Sequence, residues 1–138
     1  MVNKNEIGAL LLRVTLGIVF IAHGTVKFQG GIENIVGWFD SIGLPGFLAY
    51  IVAIMELAGG IALILGLGTR IVSALLALLL IGAIVKVQLA AGFIGGYAYD
   101  VVLLVMSVYL FLNGSTLVSL GQLFFKDQED KSKFGKSA

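Results

Sequence analysis

Four apolar stretches, at residues 7–26, 48–67, 71–91 and 97–117, run through this chain of 138 residues. Each is close to the ~20 residues that carry a helix across a ~30 Å hydrocarbon core. Backbone groups in lipid must find their hydrogen bonds internally, which favours helices over buried strands. Composition points the same way. Hydrophobic residues make up 59% of the chain and charged residues 12%, with a mean hydropathy of +1.05, whereas soluble domains run near ~45–50% and ~25%. The expected fold class is all-α: one polytopic four-transmembrane-helix bundle over residues 1–123, then a charged tail over 124–138. A signal peptide competes for the first stretch. Arg13 interrupts its apolar run and no small-x-small site follows His23, so a retained helix is expected.

An even number of spans puts both termini on one side. Lys4, Arg70, Lys126, Lys131, Lys133 and Lys136 then share that side, and only Lys27 lies opposite. The positive-inside bias places both termini in the cytoplasm of a bacterial cell membrane. The glycine-bounded run from Gly66 to Arg70 reads as a tight turn, which makes the second and third helices antiparallel neighbours. Residues 28–46 differ from a simple loop. Ile32, Ile35, Val36, Phe39 and Ile42 recur at helical spacing, with Glu33, Gly37, Asp40 and Ser41 opposite, and Trp38 suits a membrane–water interface. A short amphipathic external helix is expected there, ended by Gly43-Leu44-Pro45-Gly46; an ordinary surface loop is the alternative. The tail, mixed in charge, reads as solvated and partly disordered.

Composition narrows the chemistry further. The chain has no cysteine, one histidine and a net charge of +1. Thiolate nucleophiles, disulfides and cysteine-held iron–sulfur clusters are thereby excluded within one chain, and a bis-histidine or multi-histidine metal site cannot be built. No metal site and no intrinsic cofactor are expected, and nothing recommends a nucleic-acid partner.

Ionisable groups inside spans are costly and generally face the bundle interior or a cavity. Here they are Arg13, His23 and Lys27 on the first helix, Glu56 on the second, Lys86 on the third and Asp100 at the start of the fourth. At ~100° per residue Arg13, Gly17, Phe20, Gly24 and Lys27 share a face. Glu56 aligns with Gly59, Gly60 and Leu63, Lys86 with Gly82 and Leu79, and Asp100 with Ser107, Phe111 and Gly114. Each polar face includes glycine, which permits close helix approach. Depth suggests two pairs, Arg13–Glu56 and Lys86–Asp100, with His23 nearby. Such pairs serve either to satisfy one another and fix helix register, or to line a polar pocket where His23, with an unperturbed pKa of ~6.5, exchanges protons near neutrality.

The ordered set Leu12-Arg13-Val14-Thr15-Leu16-Gly17, Phe20-Ile21-Ala22-His23-Gly24, Lys27-Phe28, Gly43-Leu44-Pro45, Glu56-Leu57-Ala58-Gly59-Gly60 and Leu65-Gly66-Leu67-Gly68-Thr69-Arg70, with Asp100 opening the last helix, resembles the DoxX family of small four-helix membrane proteins. The resemblance covers residues 10–119. It implies an oxidoreductase or a membrane subunit in quinone-linked redox, in a branch associated with quinone and catechol stress and detoxification. With no cofactor motif of its own, such a chain would work on a bound quinone or phenolic ligand, or beside a soluble or membrane redox partner. His23 and Glu56 are the catalytic candidates. Arg13, Phe20, Lys27, Lys86, Tyr97, Tyr99 and Asp100 are expected to line the polar interior, with Phe20, Tyr97 and Tyr99 bordering the ring. A non-enzymatic scaffold for soluble redox proteins and a small-molecule permease are the alternatives, and a homo-oligomer is compatible with each.

Overall fold

The computed structural model describes residues 2–135. Among these, every regular element is helical. They are α1 (Lys4–Gln29), α2 (Ile32–Ser41), α3 (Leu48–Leu65), α4 (Thr69–Ala83), α5 (Ala98–Asn113) and α6 (Leu120–Gly135). α4 continues through a π-helical turn, Ile84–Gln88, and a 3₁₀ turn, Leu89–Ala91. The segment Phe93–Tyr97 then leads into α5, with non-helical backbone at Ile94, Gly95 and Gly96. Four spans, Lys4–Gln29, Leu48–Leu65, Thr69–Ala91 and Phe93–Asn113, are long and apolar enough to cross a membrane. This is the four-helix membrane bundle expected from the sequence.

The helices pack two by two, α1 most extensively on α3 and α4 on α5. Glycine explains the first pair. A Cβ at Gly17 would stand 2.8 Å from the Gly60 carbonyl oxygen, and one at Gly60 would stand 2.7 Å from that of Gly17. A larger residue at either position would therefore force the backbones apart. Between the pairs, Leu16 and Phe20 meet Leu63, Leu76, Leu80, Leu103 and Leu110 in the buried core. Lipid-facing positions such as Ile18, Ile54, Ile71 and Val105 are exposed and apolar, as a bilayer requires.

One end of the bundle is closed by the chain itself. α5 ends at Asn113, short of the expected 117, because Gly114 takes up φ +68°, a conformation open to glycine. The connector then folds back under α1. Arg13, fully buried, donates through Nη1 to the Ser115 carbonyl at 3.2 Å and through Nη2 to the Val118 carbonyl at 2.6 Å. Ser119 Oγ donates at 2.7 Å to the carbonyl of Gly66, the left-handed residue that caps α3. The N-terminus lies at this end too, where Asn3 and Glu6 share a shallow depression with Asn113 and Ser115.

Two expectations require correction. Arg13 does not pair with Glu56. A helical side chain leans toward its own N-terminus, so Arg13 reaches away from mid-bundle, to the connector. The residues after Leu123, read as partly disordered, instead continue α6, an exposed helix with a Lys133–Glu129 pair at 2.9 Å. Lys136, counted among the charges of the terminal side, lies outside the described residues.

Candidate functional site

The opposite end is open. α1, α3, the end of α4 and the start of α5 surround a cavity of about 650 Å³, partly covered by α2. α2 is amphipathic as its spacing requires. Ile32, Ile35, Val36 and Phe39 turn inward, and Glu33, Gly37, Asp40 and Ser41 are exposed. Tyr50 on α3 donates to Glu33 at 2.7 Å and ties α2 down. Trp38 and Phe39 then line the cavity from above, with Leu44.

Inside, Lys27 Nζ donates to Glu56 Oε2 at 2.7 Å, with side-chain exposures of 22% and 7%. The leaning rule that turns Arg13 outward brings Lys27 in. Lys27 lies near the C-terminal end of α1, so its side chain points back into the bundle, where Glu56 projects two turns into α3. A buried carboxylate without such a partner would be strongly unfavourable. His23 Nε2 and the Tyr99 hydroxyl are hydrogen-bonded at 3.3 Å, and the two rings stack with centroids 5.8 Å apart. This contact bridges α1 and α5 at the cavity wall. Asp100 follows Tyr99 on the lining, and its Oδ2 is enclosed without a hydrogen-bond partner in the protein.

Six of the residues singled out from the sequence therefore converge on one cavity: His23, Lys27, Glu56, Lys86, Tyr99 and Asp100. Three do not. Arg13 belongs to the closed end. Phe20 is in the apolar core, at 2% exposure. Tyr97 packs edge-on against Phe93, centroids 5.2 Å apart, and lies outside the lining. Lys86 and Asp100 both line the cavity but form no ion pair; among the described residues the pairs are Lys27–Glu56 and Lys133–Glu129. Lys86 sits on the π-helical turn, where the wider coil shifts the phase assumed from an α-helical count. On α5 the buried stripe is Leu103, Ser107 and Leu110, and Phe111 is 47% exposed rather than interior.

Sequence reasoning missed Gln88, Leu48, Val52 and the Gly95-Gly96 pair as cavity lining. Trp38 was legible only as an interfacial aromatic. Among the described residues no three His, Asp or Glu side chains come together as metal ligands.

Residues 8–89 match the DoxX family. The chain belongs to that family. Its DoxX match runs from the first turns of α1 to the 3₁₀ turn after α4, and so includes His23, Lys27, Glu56 and Lys86. The chain is 50% identical over 129 residues, 93% of its own length and 96% of the other's, to a protein of Bacillus subtilis (strain 168) named "Putative oxidoreductase CatD". It is 33% identical over 90 residues to "Uncharacterized membrane protein Rv3486" of Mycobacterium tuberculosis, covering 64% of this chain and 55% of that one. Over 72 residues it is 32% identical to "Inner membrane protein YqjF" of Escherichia coli (strain K12), covering 51% and 53%. No solved structure matches. As a DoxX protein with four spans, the chain is a membrane protein.

Proposed function

We propose that this DoxX protein is a quinone-binding membrane protein of the bacterial cytoplasmic membrane, acting in quinone-linked redox and detoxification, with both termini in the cytoplasm. The observation that carries the reading is the cavity itself. Its walls are mostly apolar, and polar groups enter it from α1 (His23, Lys27), α3 (Glu56), the turn after α4 (Lys86, Gln88) and α5 (Tyr99, Asp100). Quinone to quinol takes two electrons and two protons. The His23–Tyr99 pair can donate to one ring oxygen, and Lys86 to another. Asp100, with an oxygen that accepts nothing from the protein, suits the hydroxyl of a quinol or phenol. The Lys27–Glu56 pair supplies balanced charge, and Glu56 offers a proton-accepting oxygen. In this reading the two electrons come from a redox partner. The resemblance to a relative named an oxidoreductase supports this reading.

The test uses Trp38, the one tryptophan of the chain and a lining residue. Purified protein in nanodiscs should show saturable quenching of Trp38 by a quinone, and Tyr99→Phe or His23→Phe should weaken it roughly tenfold, as expected for one lost hydrogen bond in an apolar site. A protein that neither binds quinones saturably nor changes their reduction rate with membrane partners present would end the proposal.

A second reading, a scaffold for soluble redox proteins, is favoured by α6, whose Leu123, Phe124 and Phe125 are exposed. Cross-linked partners that survive neutralisation of His23 and Glu56 would support it.

A further inference from the structure

The cavity has four seams between spanning helices, and they are closed in different ways. α1 and α3 are locked by the Gly17–Gly60 contact and, nearer the cavity, by Gly24 against Leu57. α1 and α5 are bridged by His23 and Tyr99. α4 and α5 pack extensively. The end that faces water is partly covered by Trp38 and Phe39 of α2, held by the Tyr50–Glu33 bond, and by Gln88, Gly95 and Gly96. The seam between α3 and α4 differs. It is tight in mid-span, about two turns from Gly66, where a Cβ on Gly59 would meet Leu76 at 3.2 Å. Further along, Leu48, Val52 and Glu56 of α3 and Leu78, Leu79, Gly82 and Ala83 of α4 line the cavity from its two sides. Among the described residues no side-chain hydrogen bond crosses this seam. A Cβ on Gly82 would meet nothing within 4 Å. Leu78, 66% exposed, belongs both to the cavity wall and to the lipid-facing stripe Ile71, Leu75, Leu78, Ile81 and Val85.

Resting on the quinone reading above, we infer that the α3–α4 seam is a lateral slot through which a membrane-dissolved ligand enters, its polar ring reaching the Lys27–Glu56 and His23–Tyr99 groups while an apolar tail stays between Leu48, Val52, Leu78 and Gly82. The substrate class is thus a tailed, lipid-borne quinone or phenol rather than a small water-borne one. The occupant is fixed by continuity, because Leu78 belongs at once to the slot's apolar wall and to the surface that already faces lipid.

The experiment compares two probes in phosphatidylcholine nanodiscs, a naphthoquinone carrying an isoprenoid tail and the same ring bearing a methyl group in its place. Trp38 quenching reads binding without reference to activity. Gly82→Phe fills the slot, with Gly82→Ala as the size control. Gly82→Phe should weaken the tailed quinone roughly tenfold, the loss expected when several methylenes are excluded, and change the tail-less ring by less than about twofold. Leu78→Ala, at a lipid-exposed position, gives a second test should Gly82→Phe fail to fold, and should weaken the tailed probe alone. Equal weakening of both probes, or no change in either, would overturn the slot and leave the quinone reading standing. So would saturable quenching by the tail-less ring with only linear quenching by the tailed one, which would mean that bilayer lipid fills the seam. If neither ring quenches saturably in the wild type, the quinone reading itself fails, and the slot with it.

Discussion

Lys27 on α1 and Glu56 on α3 meet at 2.7 Å across the most extensively packed helix pair of the bundle, with the carboxylate side chain 7% exposed and the lysine 22%. The more enclosed partner sets the asymmetry of loss. Lys27→Met leaves a buried carboxylate uncompensated and should destabilise the protein by about 3 kcal/mol. Glu56→Gln should cost less, because the more exposed ammonium can move toward water. Lys27→Met with Glu56→Leu should recover most of the loss. Thermal unfolding in detergent measures all three, and equal losses for both single variants would contradict the assigned burial.

The α1–α3 contact makes a separate prediction. Gly60→Val places methyl groups where the Gly17 carbonyl and Ile21 now stand within 3 Å of a Cβ, and overpacking of this kind costs about 1–3 kcal/mol. Gly82→Ala, with open space around its Cβ, should be neutral or stabilise by up to about 1 kcal/mol through helix propensity. Parallel melting curves in one detergent compare the two.

Arg13 governs the opposite end. Arg13→Met leaves the Ser115 and Val118 carbonyls without their donor, a loss of about 1–3 kcal/mol. Limited proteolysis should then cut faster near Ser115–Ser119. Quinone quenching of Trp38 should be unaffected, since the two ends share no side chain. Arg13→Lys should rescue only in part, as one ammonium lacks the fork that reaches two carbonyls.

These pairings show where the sequence was informative. The spans, the amphipathic α2 and the glycine-bearing faces of α1 and α3 were all readable, because length and periodicity are local properties. Arg13, Gly17, Phe20 and Gly24 do share the buried face of α1. Partner choice was not readable. Placing Arg13 opposite Glu56 required the direction in which each side chain leans, and placing Lys86 opposite Asp100 assumed an unbroken α-helical phase through a π-helical turn. The fold-back after Gly114 is hidden in the sequence because Leu117 and Val118 extend the apolar run beyond the end of α5 at Asn113.

Tyr50 and Glu33 hold α2 over the cavity by one exposed hydrogen bond. Tyr50→Phe should leave the melting temperature within a degree or two, since an exposed bond is worth only about 0.5–1.5 kcal/mol. Hydrogen exchange should nevertheless quicken along Ile32–Ser41 while the amides of α3 keep their protection. Unchanged exchange in α2 would show that Phe39, rather than this bond, seats the helix.

As the proposed entry slot, the unbridged seam between α3 and α4 would make the surrounding bilayer one wall of the binding site. Affinity then becomes a property of protein and membrane together. Acyl-chain length, unsaturation and lateral pressure would tune occupancy with no change in sequence, and detergent micelles and native membranes would report different constants for one unaltered polypeptide.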